Sequence, residues 1–301
     1  MTDAIRMRAL CYRAGSHFDI SDLSLTVPAG AVYGFLGPNG SGKTTTIRLL
    51  LGLLRARHGE IEVLGRSIPR DVAATLARIG YVPERPHIYP SLTVAEAMRF
   101  HAAFHARWDG AWAAELAATF LLRGDARVGT LSKGEMGKLM MLLALAQRPE
   151  LLVLDEPTDG LDPVVRRDML ESVLGYVAEH GATVFISSHL VHELERICDW
   201  VGVMDRGRLV AELPMQLFKD GIKRVRITGA TAEVSGAPFV LLKRERGQGT
   251  AEEWIVRGWK AGMESYIEGS GAVVREVIDL DLEDGFVEML RAARVPQAKE
   301  A

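Results

Sequence analysis

The sequence has few cysteines, little net charge and no long hydrophobic run. Only Cys11 and Cys198 are cysteines among 301 residues, and their isolation predicts neither a disulfide framework nor a zinc site. A formal charge of −3 gives no general sign of nucleic-acid binding, because proteins that follow phosphate backbones are usually basic. No apolar run reaches the length of a membrane span, and residues 1–6 lead into an alternating stretch, so we expect neither a transmembrane helix nor an export signal.

The composition is that of a globular chain able to bury a large core, with 48% hydrophobic and 25% charged residues. Up to about residue 84 the pattern predicts strands and one helix, and from about 90 to 150 it becomes helical. After Pro214 short alternating strands between glycine-rich turns are followed by a helix over residues 282–290. We therefore predict two domains, residues 1–213 and 214–301, the second a small α+β unit.

A glycine-rich motif stands between an apolar strand pattern, residues 31–36, and an apolar helical pattern, residues 46–51. Such a loop wraps a polyphosphate with its backbone N–H groups, the lysine supplies a cation, and the hydroxyl after it can bind Mg²⁺. The motif therefore predicts a nucleoside triphosphate site. The predicted phosphate-binding residues are Gly37, Pro38, Asn39, Gly40, Ser41, Gly42, Lys43, Thr44 and Thr45.

Two acids close the continuous apolar run 151–154, which is typical of a strand buried on both faces of a parallel sheet. The carboxyl end of such a strand opens on the ligand. We expect Asp155, with Thr44, to hold Mg²⁺ and Glu156 to polarise the attacking water. His189 closes a further buried strand pattern, where it could contact a γ-phosphate.

A serine and a glycine, Ser132 and Gly134, stand at the start of another helical pattern. This arrangement can form an anion site. In isolation it is better explained as a capping box, in which Ser132 pairs with Glu135. His101 and His105 lie one helical turn apart, and with no carboxylate or cysteine in register we interpret them as a helix face rather than a metal site.

The order of these motifs resembles the ATP-binding subunit of an ABC transporter, over roughly residues 6–213. The resemblance implies an α/β fold: a P-loop NTPase core with a helical subdomain and, here, a small C-terminal α+β appendage. It implies ATP and Mg²⁺ as ligands, with Glu84 at the position of the glutamine that binds the metal. In that family two subunits stack head to tail, so Ser132 and Gly134 would act on the partner's ATP, in a homodimer or a heterodimer.

The same resemblance implies a polytopic membrane permease as partner, no nucleic acid, and a place on the inner face of the cell membrane. The chain departs from the family's usual LSGGQ at Lys133 and Glu135, and has Glu84 in place of glutamine. The aromatic residue that stacks on adenine is not evident, because counting back from the phosphate loop reaches Ala14, with Tyr12 and Phe18 nearby.

The leading hypothesis is an ATPase that powers a separate membrane subunit, and the segment 85–96 resembles that of bacterial exporters. One alternative is a soluble ABC-type ATPase that acts on nucleic acid or ribosomes. The chain lacks the second ATPase domain or the long coiled coil that such proteins usually carry. Another alternative is a nucleotide-binding regulator without turnover, against which the presence of both Asp155 and Glu156 argues.

Overall fold

A computed structural model describes residues 2–15, 18–229, 236–247 and 249–294. Its strands, in chain order, are β1 (Asp3–Ala14), β2 (Phe18–Pro28), β3 (Val32–Leu36), β4 (His58–Val63), β5 (Arg66–Ile68), β6 (Ile79–Val82), β7 (Leu151–Asp155), β8 (Thr183–Ser188), β9 (Trp200–Asp205), β10 (Arg208–Pro214), β11 (Ile222–Gly229), β12 (Val240–Arg246), β13 (Ala251–Arg257) and β14 (Ala272–Asp279).

The α-helices are α1 (Lys43–Leu50), α2 (Val72–Leu76), α3 (Val94–Ala102), α4 (Gly110–Thr119), α5 (Lys133–Leu145), α6 (Pro163–His180), α7 (Val191–Leu194), α8 (Met215–Gly221), α9 (Glu264–Glu268) and α10 (Leu282–Arg294). Within the region up to residue 84 the structure has α2 in addition to the one helix that the sequence predicted. Its five residues are too few to give a clear helical period.

A six-stranded sheet in the order β10-β9-β3-β8-β7-β6 forms the centre of the molecule. Strands β6, β7, β8, β3 and β9 run parallel, and β10 pairs antiparallel with β9 at the edge. Every residue of β3, β7 and β8 is buried, which explains why these strands read as continuous apolar runs. The carboxyl ends of β3, β7 and β8 meet at one edge, and the candidate site lies there.

An antiparallel sheet in the order β2-β1-β4-β5 packs beside this centre, and its apolar residues share one cluster with Phe35, Ile47 and Phe185. The helical subdomain predicted for residues 90–150 contains α3, α4 and α5. α3 begins with a capping box between Thr93 and Glu96, which fixes its first turn. From Leu139 onward α5 is buried to its end.

Strands β11 to β14 form a third, antiparallel sheet in the order β12-β13-β11-β14, with a cluster of its own that includes Trp254 and Trp259. The four strands and the closing helix predicted in this region are all present. Two short helices, α8 and α9, were not predicted. α10 packs back on the centre, where Phe286 and Met289 join the main cluster and Arg294 donates two hydrogen bonds to Asp205 at 2.8 and 2.9 Å.

Among the described residues, no helix combines the length and the apolar character needed to cross a bilayer. The division into two domains at residue 213 stays a prediction. Although α10 follows this boundary in sequence, it packs on the unit that precedes the boundary.

Candidate functional site

The phosphate loop joins β3 to α1, and its glycines are needed where the backbone turns sharply. Gly42 has φ 116°, and a Cβ there would lie 2.7 Å from Phe18 and from Met204. At Gly37 a Cβ would lie 2.4 Å from the carbonyl oxygen of Met204. A larger residue at either position would therefore displace the loop from the end of the sheet.

Lys43 is the first residue of α1, and its side chain is buried inside the loop. The ammonium donates to the carbonyl oxygen of Gly37 at 2.6 Å and lies 3.0 Å from Oε1 of Glu156. The ammonium also donates to the carbonyl oxygen of Pro38 at 3.4 Å. A buried cation held by one carboxylate and two carbonyls can exchange these partners for phosphate oxygens, which carry negative charge.

Asp155 ends β7 and is fully buried. Its Oδ1 accepts hydrogen bonds from Ser187 Oγ at 2.8 Å and from Thr44 Oγ1 at 3.1 Å. Among the described residues, its Oδ2 has no hydrogen-bond partner. Burial raises the pKa of Asp155 above its usual value, and the charges of Glu84 and Glu156 act in the same direction. This unpartnered oxygen beside a threonine hydroxyl fits a hard cation such as Mg²⁺.

Glu156 follows Asp155 in a left-handed backbone conformation, with φ 48°, that is unusual for a residue with a side chain. Its N–H donates to Ser187 Oγ at 3.0 Å. One carboxylate oxygen faces Lys43, and the other lies 2.8 Å from Nδ1 of His189. Ser187 therefore orients both acids. In the sequence, Ser187 is marked only as part of the strand pattern before His189.

Lys43, Glu156 and His189 line an open cavity of about 520 Å³, and Asp155 contacts this cavity's lining through Thr44. Its lining residues are Phe18, Asn39, Gly40, Gly42, Lys43, Thr44, Thr45, Glu84, Glu156, Asp159 and His189. Glu84, two residues after β6, thus lies near the predicted metal position. Ala14, the position reached by counting, is not among the lining residues, whereas Phe18 is. The start of β2 brings this ring to the cavity, which the count along the sequence could not show.

Ser132 and Gly134 do not line that cavity. Ser132 caps α5: its hydroxyl accepts from the N–H of Glu135 at 3.2 Å, and its own N–H donates to Glu135 Oε2 at 2.8 Å. The capping box expected from the sequence is therefore present. Lys133 reaches from this loop to Asp159, with Nζ 3.3 Å from Oδ2. The signature loop, residues 131–135, is thus near the cavity rim in the same chain without entering it.

His101 lies in the last turn of α3, and His105, three residues beyond the end of that helix, stacks on it with ring centroids 6.4 Å apart. Over the described ranges, no group of three or more side chains of the kinds that bind metals comes together. The expected helix face therefore includes His101 only, because α3 ends before His105.

Comparison with known proteins gives a consistent result. The family model described as ABC transporter matches residues 20–159. The bacitracin transport ATP-binding protein BcrA of Bacillus licheniformis is 37% identical over 221 residues, which cover 73% of this chain and 72% of that protein. Nod factor export ATP-binding protein I of Burkholderia lata is 39% identical, covering 66% of this chain and 67% of that protein. A solved ATP-binding subunit of an ABC transporter superposes with a TM-score of 0.66 at 27% identity, covering 72% of this chain and 92% of its own.

Proposed function

The chain belongs to the ATP-binding subunits of ABC transporters, and from this membership we propose that it drives export. Members of this family are ATPases coupled to transport. The direction is proposed because two relatives are named for bacitracin transport and Nod factor export. Neither of the alternatives, a soluble ATPase on nucleic acid and a regulator without turnover, gains support from these relatives.

We propose that the backbone of the phosphate loop and Lys43 hold the β- and γ-phosphates of ATP. Thr44, the free Oδ2 of Asp155 and Glu84 would hold Mg²⁺, which neutralises charge that develops on the phosphates. The support is the unpartnered buried oxygen of Asp155 next to the Thr44 hydroxyl. The Phe18 ring at the cavity is the candidate to stack on the adenine base.

Glu156 is proposed to accept the proton of the attacking water, whose oxygen forms a bond to the γ-phosphorus while the bond to the ADP oxygen breaks. His189 would hold this carboxylate in place by donating from Nδ1, and a ring that carries both protons would also donate from Nε2 toward the γ-phosphate. The observation that carries the assignment is that Glu156 lies 3.0 Å from Lys43 and 2.8 Å from His189. One carboxylate therefore joins the phosphate-binding cation to the predicted phosphate sensor.

The working unit is proposed to be a head-to-tail pair in which Ser132 and Gly134 complete the partner's site. The support is that the signature loop lies outside its own chain's cavity, while its helix N-terminus remains at the surface. A polyphosphate that reached this loop from another subunit would meet the N–H groups of α5.

A membrane permease is the proposed second partner, and the chain would then lie on the inner face of the cell membrane. The helical subdomain exposes three aromatic side chains: Tyr89 at 62%, Phe100 at 44% and Phe104 at 72%. Their rings contact one another edge to face, with Phe100 in the middle. A contiguous exposed aromatic patch of this kind is typical of a protein interface.

The proposed function is tested by Glu156→Gln, which keeps the size of the side chain but removes the base. We expect ATP binding within about twofold of the parent and hydrolysis slower by about a hundredfold or more. ATP binding is measured by equilibrium dialysis, hydrolysis by phosphate release, and assembly by size exclusion with ATP and Mg²⁺. An ATP-bound dimer should accumulate, because the variant cannot leave the closed state by hydrolysis.

Arg85→Gln provides the control, since Arg85 is exposed and forms an ion pair with Glu84 at the long distance of 4.0 Å. It should hydrolyse ATP at nearly the parental rate. If Glu156→Gln hydrolysed ATP as fast as the parent, the assignment of Glu156 would be wrong.

A further inference from the structure

Behind the cavity, a glutamate on the short helix α7 is buried although it carries a charge. Glu193 is 6% exposed. Its Oε2 accepts a hydrogen bond from Thr158 Oγ1 at 2.6 Å, and its Oε1 lies 2.6 Å from Nη1 of Arg166. A carboxylate is costly to bury unless it is paired, so these two partners explain how Glu193 can occupy this position.

The partners of Glu193 belong to the chain segment that follows the catalytic acids. Thr158 is two residues after Glu156, and Arg166 lies in the first turn of α6. From its Nη2, Arg166 also donates to the carbonyl oxygen of Leu161 at 3.2 Å, so it fixes the loop between β7 and α6. Glu193 itself is four residues after His189. The contacts thus tie the segment that carries Glu156 to the segment that carries His189.

We propose that Glu193 is a positioning residue for ATP hydrolysis, which sets the distance between His189 and Glu156 through Thr158 and Arg166. Glu193 does not line the nucleotide cavity, so it acts only through these residues. The inference rests on the roles proposed above for Glu156 and His189. It adds two contacts of 2.6 Å each, made by Glu193, to the 2.8 Å contact between His189 and Glu156.

Two observations favour positioning over simple stabilisation. First, Arg166 Nε is buried without a hydrogen-bond partner in the described part of the chain, so the ion pair is incompletely satisfied and a poor source of stability. Second, α7 has only four residues and no side-chain cap, and the packing of Val191 and Leu194 is not directional. The hydrogen bond from Thr158 is directional, so it defines how the start of α7 is oriented, while the ion pair with Arg166 adds a short contact at the other carboxylate oxygen.

The test compares Thr158→Val, which removes only the hydroxyl contact, with Thr158→Ser, which keeps it. Steady-state phosphate release and equilibrium dialysis with ATP are measured on the purified full-length chain. For Thr158→Val we expect kcat to fall about tenfold while the dissociation constant for ATP stays within about twofold, because misplacement affects the reacting geometry and not the phosphate loop. Thr158→Ser should retain kcat within about twofold.

A double-mutant cycle with Glu193→Gln assigns the effect to the pair. If the hydroxyl acts through the carboxylate, Thr158→Val should cause no further loss of kcat in the Glu193→Gln background. Glu193→Gln alone should lose at least as much kcat as Thr158→Val, because it also removes the ion pair with Arg166. Glu195→Gln is the matched control, because Glu195 closes the same helix but forms a surface ion pair with Lys219 at 3.2 Å. Its kcat should equal that of the parent.

Two outcomes overturn the proposal. One is parental kcat in Thr158→Val while Glu156→Gln is stalled, which would leave the proposed function intact and remove the role of Glu193. The other is an equal loss of kcat and of ATP affinity in Thr158→Val, with none of the loss recovered in Thr158→Ser, which would indicate a general structural role. Parental activity in Glu156→Gln would instead contradict the proposed function itself.

Discussion

The phosphate-loop cavity and the signature loop both offer a serine or threonine hydroxyl and a helix N-terminus, yet they differ in what their polar groups contact. At the phosphate loop, Lys43 and Asp155 are buried, and Asp155 keeps an oxygen without a hydrogen-bond partner among the described residues. In the signature loop, Ser132 and Glu135 satisfy each other through a capping box. The first region is built to receive a ligand within its own chain, whereas the second is stable without one.

The two regions also treat their carboxylates in opposite ways. Burial raises the pKa of Asp155, so the ionised form is disfavoured before a cation binds. Hydrogen bonds from the side chain and backbone of Ser132 lower the pKa of Glu135, so its ionised form is favoured. A cation that binds beside a carboxylate in an unfavourable environment stabilises the protein more than a cation beside a carboxylate that hydrogen bonds already stabilise. We therefore expect ATP affinity to depend on the cavity and turnover to depend on both regions.

One substitution in each region should affect ATP binding very differently. Lys43→Ala should weaken ATP binding about a hundredfold, since it removes the buried cation that faces the phosphates. Ser132→Ala should leave ATP binding to the single chain within about twofold, because Ser132 lies outside that chain's cavity. Binding is measured by equilibrium dialysis at protein concentrations where the chain is monomeric. Equal losses of ATP affinity in Lys43→Ala and Ser132→Ala would contradict the different roles of the two regions.

Most of the cavity could be predicted from the sequence, because a phosphate loop needs its residues in one contiguous run and β7 and β8 are buried on both faces. What could not be predicted depends on contacts between distant segments. Phe18 reaches the cavity because β2 starts beside the loop, and Ser187 joins the two acids across neighbouring strands. The strands of the third sheet could be predicted from the alternating pattern of apolar residues after Pro214. The helices α2, α8 and α9 are too short to produce a helical period.

A second prediction concerns a dimer in which each subunit carries a substitution in a different region. In a heterodimer of a Lys43→Ala chain and a Ser132→Arg chain, both changes fall in one composite site and the other site is intact. We expect about half of the parental activity if the two sites act independently, and far less in either mutant homodimer. Phosphate release is measured on heterodimers purified with two different affinity tags. Heterodimers no more active than the homodimers would argue against a shared site.

A third prediction concerns the unfavourable charge in the cavity. Because the pKa of Asp155 is raised by folding, its ionised form destabilises the nucleotide-free protein at neutral pH. Asp155→Asn should therefore raise Tm by about 2 °C at pH 7, and this gain should disappear as the pH falls toward the usual aspartate range. Glu135→Gln is the comparison in the signature loop and should lower Tm slightly. The Tm of both variants is measured by thermal unfolding without nucleotide. A lower Tm for Asp155→Asn at pH 7 would show that the ionised carboxylate of Asp155 does not destabilise the folded protein.

The smallest expected effect is at Glu84, where the chain has an acid in place of the family's glutamine. Glu84 lines the cavity with Thr44, and its charge contributes to the raised pKa of Asp155, so the two carboxylates act on the same region. A carboxylate binds a hard cation more strongly than an amide does, although it adds repulsion when metal is scarce. We expect ligation to dominate, so that Glu84→Gln raises the Mg²⁺ concentration for half-maximal hydrolysis about threefold. A decrease would show that repulsion dominates, and an unchanged Mg²⁺ titration would place Glu84 outside the metal site.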